Sequence, residues 1–596
     1  MDFFESQARA HRNTKWLLVY FALAVIGIIL TLHVVAALVF GESLTDWRLL
    51  GMVAGGVIVV VTLGSLFRIA ELSQGGAVVA QMLGGRPVEP HTTDLDEQRL
   101  RNVVEEMALA SGVPVPEIYV LDAEEGINAF AAGNTTGDAV VAVTRGALKN
   151  LSRDELQGVV AHEFSHILNG DMRLNVRLIG VLTGILLLAI LGRIVFDMAG
   201  WSRVRSSRSG NSSQVPIVLI GLALFAVGYI GVFFAKLIKA AVSRQREFLA
   251  DASAVQFTRN PDGIAGALYK IGKAGSRLNA SRADEASHMF FGNGLGDAFI
   301  GWFATHPPIE ARIRAINPQF DPASVRERRE EAPSEIRPAT RVTGGNLAVA
   351  ATILAGLPDF ARNEANAAAS AAPLIYSLLL SGDPEVREKQ LAAIELMPGQ
   401  RQQVDRDLAR RTEINDALAL MDLCLPALRR LSDAQYAVFR ENVRKLIAAD
   451  DRVDLFEFVL HKALVRHVDH FFTKSGGPTI RVRSLIPILP DVSVVLSALA
   501  WQSGETDAER DAAFAAGVSA LNIKPGAFPM ERAATVDFPR LEAALDRIVE
   551  SDPPTRRKVF HACVAAVRHD GVVRPREAAL LRAVSDVLDC PLPPLQ

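Results

Sequence analysis

The sequence predicts a mostly α-helical protein with a small β-sheet, in which a membrane-embedded domain with two helical hairpins precedes an all-α C-terminal domain. Three observations carry this reading. Long apolar runs are confined to the first 241 residues. Two short β-rich runs, Ile118 to Leu121 and Ala139 to Val143, lie between them. From Leu347 to Gln596 the patterning is helical, with no long membrane run.

Bulk properties set the limits. A chain of 596 residues is too long for one ordinary domain and implies about three to four units. A net charge of −3 provides no global field for nucleic acid or an acidic substrate, so nucleic acid is excluded as an expected partner. A hydrophobic content of 49% is high for a soluble protein and fits concentrated apolar segments. The three cysteines, Cys424, Cys563 and Cys590, have no metal-ligand spacing and read as small buried hydrophobes in a reducing compartment.

Trp16 to Phe40 carries no formal charge over 25 residues, long enough to cross about 30 Å of hydrocarbon. Leu49 to Phe67 is a second such run, with Gly51, Gly55, Gly56 and Gly64 offering close helix approach. The first run is too long for the apolar part of a signal peptide, and no small-residue cleavage site closes it. Arg9, Arg12 and Lys15 precede the pair, while the connecting loop carries only Arg48, so both ends of the hairpin read as cytoplasmic. Leu178 to Trp201 and Val215 to Ala241 read as a second spanning hairpin, with Arg193 and Asp197 paired at i,i+4. Its connecting loop holds Arg203, Arg205 and Arg208. The outer flanks answer with Arg173, Arg177, Lys236, Lys239, Arg244 and Arg246, which keeps them cytoplasmic. The alternative is a hairpin that packs on the membrane or caps an enclosed chamber. The expected location is therefore the cell (inner) membrane, multi-pass, with both other domains on the cytoplasmic side.

Between the hairpins, Asp94 to Ser111 shows helical spacing at Leu100, Val103, Val104 and Met107. Leu156 to Leu168 reads as a further helix, opened by Ser152 as N-cap with Glu155 three residues on, a capping box. Inside it stands His162-Glu163-Phe164-Ser165-His166. Two histidines at i,i+4 share one helical face and can reach a single tetrahedral Zn²⁺. Glu163 stands beside them, placed to take a proton from a metal-activated water and return it to a leaving amine. The bland alternative is a helix with two surface histidines, but Val159, Val160, Phe164, Ile167 and Leu168 make this helix largely apolar, and buried histidines need partners.

A catalytic zinc keeps three protein ligands and one open position. Glu247, in Arg244-Gln245-Arg246-Glu247-Phe248-Leu249-Ala250-Asp251, is the candidate third ligand. Asp251 lies one turn later on the same face and can fix the tautomer of a ligand histidine. Alone, such a pair is usually a solvated helix face.

At this point residues 1–318 resemble the HtpX-type membrane metalloproteases, relatives of the Ste-type CAAX prenyl proteases, in which HExxH is followed downstream by an ExxxD helix. The resemblance implies a gluzincin-like zincin fold with one zinc per chain, held by His162, His166 and Glu247, with Glu163 as general base. Asn128-Ala129-Phe130 resembles the family's NAF segment. The resemblance makes Ala139, Val140 and Val141, in the strand running to Thr144, part of an edge that receives an extended peptide as an added strand. Thr305-His306-Pro307-Pro308 with Arg312 resembles the family's HPP…R element. That places His306 toward the oxyanion and leaves Arg312 to orient Glu247 or Asp251.

Other histidines read as structural: His33 packs within the first apolar run, and His461, His467 and His470 lack a metal spacing. Pro318 to Gly345, rich in Arg, Glu, Pro and Ser, reads as a linker. The expected domains are thus 1–70 (hairpin), 71–317 (metalloprotease, including the apolar hairpin at 178–241), 318–345 (linker) and 346–596 (helical region). The last contains a weak repeat: Ile447 to Val453, ending at Glu457, matches Val567 to Val573, ending at Glu577. The repeat resembles TerB-like helical domains. Its carboxylates read as a cap and a helix face, with a divalent-cation site as the other possibility. The partners implied are polypeptide substrates, membrane proteins among them by location, the lipid bilayer, and a protein bound by the helical region. The leading reading is a metalloendopeptidase acting on membrane or membrane-proximal proteins. The alternatives are a CAAX-type prenyl protease and a membrane scaffold with a partner-recruiting tail.

Overall fold

The computed structural model describes residues 3–72, 75–205, 215–274, 290–291, 306–325, 346–413, 416–449, 455–472, 480–504, 506–523, 529–531 and 537–590. In chain order the first elements are α1 (Phe3–Phe40), α2 (Trp47–Leu72), α3 (Gly76–Met82), β1 (Arg86–Pro87), α4 (Leu95–Ser111), β2 (Glu117–Leu121), β3 (Ala129–Ala132) and β4 (Val140–Thr144). They continue with α5 (Arg145–Asn150), α6 (Arg153–Asn169), α7 (Asp171–Arg205), α8 (Val215–Thr258), α9 (Pro261–Ala274), α10 (Ile309–Ile316), α11 (Asn346–Gly356) and α12 (Asp359–Ala365). Further helices follow to Leu588. The fold is mostly α with one four-stranded sheet.

Two compact units divide the chain: Met1–Val88 with Glu117–Glu330, and Glu89–Pro116 with Glu331–Gln596. In the first, Ile28 and Leu32 of α1, Val57 and Val61 of α2, Ile185 and Leu188 of α7 and Val227 of α8 form one buried cluster. The two hairpins therefore pack as four helices. Among the described residues, Phe21–Phe40 and Trp47–Glu71 are long and apolar enough to cross a membrane, whereas the apolar stretch Gly221–Gly231 of α8 is shorter. A third helix of that length and composition, Ile486–Ser503, is 61% buried in the second unit, which corrects the expectation of no such run in the tail. Close helix approach falls at one of the four expected glycines. Added Cβ atoms on Gly51, Gly55 and Gly56 meet nothing within 4 Å, while one on Gly64 would lie 3.2 Å from Gly184 Cα and one on Gly184 2.2 Å from Ser65 Oγ. Small residues pay off only where a partner backbone faces them, and that partner is α7.

The sheet has the order β1-β2-β4-β3. β1 pairs antiparallel with β2, β2 parallel with β4, and β4 antiparallel with β3. β4 is thus interior, with all five residues buried, as its Val-Val-Ala-Val-Thr run suits. α6 starts at the expected capping box of Ser152 and Glu155 and stops at Gly170, in the left-handed region at φ 68°. It packs against α8, α9 and β3. A Cβ on Gly158 would sit 2.8 Å from the Ile264 amide nitrogen, so the glycine is what lets α9 approach α6.

The second unit joins α4 to the tail. α4 is capped by Asp94, whose side chain accepts from the Asp96 and Glu97 amides. It packs against α11. Arg362 of α12 donates to Glu105 Oε2 at 2.8 Å and to Asn102 Oδ1 at 3.1 Å, and Asn366 donates to Glu105 Oε1 at 3.2 Å. Arg429 reaches the Val115 carbonyl at 3.4 Å. The compact units therefore do not divide where the sequence reading divides the chain, because a pairing across more than 250 residues has no local signature. Glu105 is fully buried. Arg362→Ala is accordingly expected to destabilise the second unit by about 1.5–3 kcal/mol, the worth of a hydrogen bond to a charged group. Thermal unfolding of the purified protein checks this, and an unchanged transition would mean that the pair contributes nothing.

The three cysteines are free and buried. The first repeat copy lies partly outside the described residues, at 450–454. In the second, Asp570 accepts from the Val572 amide at 2.9 Å and Glu577 from the Arg574 amide at 2.6 Å, so both carboxylates serve a turn and a cap.

Candidate metal centre

Three elements of the first unit build the site. α6 presents His162 and His166 one turn apart, α8 presents Glu247 and Asp251 one turn apart, and the segment from His306 into α10 brings His306 and Arg312. Each of these side chains except His166 is almost wholly buried.

His162, His166 and Glu247 form the one group of three or more metal-suited side chains among the described residues, with ligand atoms within 4.8 Å of one another. The Nε2 atoms of the two histidines are 3.1 Å apart. Glu247 Oε2 lies 3.7 Å from His162 Nε2, and Oε1 lies 3.6 Å from His166 Nε2. Tetrahedral zinc with nitrogen and oxygen ligands at about 2.0–2.2 Å separates its donors by about 3.3–3.6 Å. The three donors therefore fit one such ion.

The outward nitrogens are already committed, which is what a metal-binding histidine requires. His162 Nδ1 is 2.9 Å from Asp251 Oδ1, and His166 Nδ1 is 2.8 Å from Asp171 Oδ2. Asp171 is ion-paired in turn with the buried Arg246. Arg312 grips Asp251 with two bonds, Nε to Oδ2 at 2.8 Å and Nη2 to Oδ1 at 2.6 Å. Its Nη1 lies 3.3 Å from Glu247 Oε2 and donates to the Phe291 carbonyl at 3.0 Å. Both carboxylates left open as partners for Arg312 thus meet it. His306 Nδ1 is 2.7 Å from Glu247 Oε2, while its Nε2 is buried without a partner.

Electrostatics follow from burial and these contacts. Burial lowers His162 to about 4, so it is a neutral imidazole at neutral pH. Burial would raise both Glu247 and Asp251. The neighbouring His306 and Arg312 outweigh it for Glu247, and Arg312 does so for Asp251, so both stay below the usual carboxylate range. Glu163 is different. Burial pushes it up to about 8 against His166 and the Ala131 backbone, and neither carboxylate oxygen is bonded to a side chain. A cation on the neighbouring donors acts in the opposite direction and favours the ionised form.

The expected substrate edge needs correction. Ala139 precedes β4, and Val140 and Val141 lie in it, but β4 is paired on both sides and has no free ladder for an added strand. The edge strand is β3, which contains Ala129 and Phe130. Its outer side is met by the chain itself: Phe130 bridges to Phe290, and the Phe291 amide donates to the Ala129 carbonyl at 2.8 Å. Asn128, whose Oδ1 accepts from the Ala129 amide at 3.0 Å, is buried with them.

Sequence reasoning missed Asp171, Arg246 and Phe291. Asp171 stands five residues after His166, just past the helix-ending Gly170, a spacing that could have nominated it. Phe291 offered no signal. Its ring meets His162 edge-on at 4.7 Å, and the Arg312 guanidinium lies 4.9 Å from its centroid. Among the described residues the other histidines join no such metal-suited group: His33 bonds the Leu44 carbonyl at 3.0 Å, and His467 bonds Asp586 at 3.1 Å.

Comparison with known proteins points the same way. The family model described as Peptidase family M48 matches residues 94–319. The chain is 36% identical over 274 residues to the Protease HtpX homolog of Caldanaerobacter subterraneus subsp. tengcongensis, covering 46% of this chain and 85% of that protein. It is 35% identical over 271 residues to the Protease HtpX homolog of Thermoanaerobacter pseudethanolicus, covering 46% and 85%. With the Protease HtpX homolog of Ligilactobacillus salivarius it shares 35% over 288 residues, covering 48% and 94%. No solved structure matches.

Proposed function

The chain belongs to peptidase family M48, among the HtpX-type membrane metalloproteases, and on that premise we propose that it is a zinc endopeptidase cutting membrane or membrane-proximal polypeptides at the cytoplasmic face. The observation that carries this reading is the convergence of His162, His166 and Glu247 on one point, each outer atom held by a buried carboxylate, histidine or arginine. A merely structural polar cluster does not need two histidines with their free nitrogens aimed at each other.

When bound there, zinc supplies Lewis acidity, polarising the scissile carbonyl and acidifying water. Glu163, buried beside the donors, takes the proton of the attacking water and passes it to the leaving amine nitrogen. Asp251 and Asp171 hold His162 and His166 with Nδ1 protonated and Nε2 free for the metal. Arg312 keeps Asp251 and Glu247 ionised. His306 donates from Nδ1 to Glu247, since a carboxylate only accepts. To serve the oxyanion through Nε2 as well, it must carry both protons and act as imidazolium.

Removing the metal by dialysis against a chelator is expected to stop cleavage of an unfolded test protein, and stoichiometric zinc to restore it. Undiminished cleavage by metal-free protein would overturn the reading. For orientation, reporters fused after Arg68 and after Gly345 are expected to report cytoplasm, and one within Gly41 to Arg48 the opposite side. An outside signal after Arg68 would reverse the topology. The tail is read as a TerB-like helical region that binds a protein partner, a repeat-built surface suited to recruiting or regulating substrates.

A further inference from the structure

Arg193 and Asp197 of α7 take no part in the metal centre, and their surroundings are unusual for charged groups. The two are 3.7 Å apart, yet their side chains are 71% and 59% exposed. Among the described residues each is the other's one ionic partner. With the half-exposed Ile190 and Ile194 they form a single stripe along α7, at i, i+3, i+4 and i+7.

Helix register sets the depth of this stripe. α7 runs antiparallel to α2, a helix long and apolar enough to cross a membrane. An added Cβ on Gly64 would lie 3.2 Å from Gly184 Cα, and one on Gly180 2.3 Å from the Ile69 side chain. Arg193 stands nine residues beyond Gly184, as Gly55 stands nine before Gly64, so the two are level. Arg193 therefore lies about 9 Å inside the apolar run Leu49 to Phe67, and Asp197 about 3 Å inside it, at the end remote from the metal. Ionisable side chains at membrane depth almost always face a bundle interior. This pair faces outward, where another helix in the bilayer would meet it.

The same helix leads to the metal centre. Its first residue, Asp171, holds His166, the more accessible of the two histidines, with its side chain 14% exposed against 0% for His162. Arg173, two residues on, donates to the Asn134 carbonyl at 2.8 Å, just past the end of the edge strand β3. From Asp171 to Arg193 α7 rises about 33 Å in about six turns, so the two residues project from about the same side of it. The accessible side of the metal centre and the stripe thus stand along one continuous helix.

Resting on the membrane endopeptidase reading above, we propose that the stripe is a docking surface for a substrate's transmembrane helix that carries an unpaired polar residue. Arg193 offers donors and Asp197 acceptors, which hydrocarbon does not, and the two isoleucines supply apolar contact beside them. Substrate selection then falls on helices whose polar groups have no partner of their own. A helix held at Arg193 runs down α7 and delivers its cytoplasmic flank to β3 and the metal. The level of Phe67 is reached after about 12 helical residues, and the remaining about 15 Å takes about five extended or ten helical ones. The cut is therefore expected about 17–22 residues from the polar residue.

The test uses the full-length, zinc-loaded protein in lipid nanodiscs with single-span substrates that share one cytoplasmic flank. Their Leu/Ala helices carry Asn level with Arg193, Asn four residues nearer the cytoplasm, or Ala. The Asn substrates are expected to be cut about three- to thirtyfold faster than the Ala substrate, the range that interhelical hydrogen bonds in membranes are worth. The cut should follow the Asn when it moves. Arg193→Leu with Asp197→Leu should lower the Asn substrates to the Ala rate, with zinc content and cleavage of an unfolded soluble polypeptide unchanged. Arg193→Asp with Asp197→Arg retains both chemistries and should keep the preference. Equal rates for Asn and Ala in the parent, a preference that survives the double leucine variant, or a cut that ignores the Asn position would overturn the docking surface and show a pair that only snorkels to the interface. Failure of the parent to cut the soluble polypeptide would instead remove the endopeptidase reading beneath it.

Discussion

Arg312→Leu is expected to cost the protein both its metal affinity and much of the stability of its first unit. Arg312 is 1% exposed and is the shared cation of Asp251 and Glu247, with a further bond to the Phe291 carbonyl. Removing one partner of a buried ion pair leaves an uncompensated charge and costs about 3–5 kcal/mol. Here two carboxylates lose it. The pH dependence has a definite sign. Glu247 and Asp251 are depressed below their ordinary values of 4.5 and 3.8, so their contribution to stability is present above those values and is lost as pH falls through the folded ones. The variant should lose that contribution near neutrality, because burial then raises both groups. Thermal unfolding between pH 4 and 8 checks it. Arg312→Lys is expected to rescue poorly, since one ammonium cannot reproduce the two-bonded grip on Asp251. A variant with unaltered melting and zinc content would show that Asp251 and Glu247 are held by other means.

Glu163→Gln is expected to lower turnover by about 10²–10⁴ while leaving zinc bound, because a carboxamide of the same shape cannot accept a proton. Glu163 is 1% exposed, and neither of its oxygens is bonded to a side chain, unlike every other carboxylate in the site. Burial that raises it to about 8 is a standing cost to the folded protein. The uncharged variant should therefore be at least as stable as its parent when metal is absent. Measured together, melting temperature, zinc content and cleavage rate separate a catalytic role from a structural one. A variant that cleaves at the parental rate would dismiss Glu163 as the base.

Much of this site was legible because its information is local. Two histidines four residues apart share a helix face wherever that helix sits, and the Ser152–Glu155 box marks the helix start without tertiary help. Glu247 and Asp251 declared themselves by the same one-turn spacing. What was not legible depends on partners far along the chain. The strand at Val140 to Thr144 has the composition of an interior strand, but only the order β1-β2-β4-β3 shows that it has neighbours on both sides. Phe291 is an unmarked aromatic until the fold sets it against His162. The helix from Leu95 to Ser111 was predicted as a helix, yet nothing in its pattern shows that Glu105 waits for Arg362. The glycines of α2 suggested tight packing, but only Gly64 meets it, because there α7 has its own glycine at Gly184.

The central claim is that one zinc is held by two imidazoles and a carboxylate. X-ray absorption at the zinc edge of the purified full-length protein tests it most directly. The expected first shell contains only nitrogen and oxygen at about 2.0–2.2 Å, with the scattering pattern of two imidazoles. That pattern should fall to one imidazole or to no bound zinc in His162→Ala, and it should persist in Glu163→Gln. A sulfur scatterer at about 2.3 Å, or a shell unchanged by His162→Ala, would place the metal elsewhere and contradict the account.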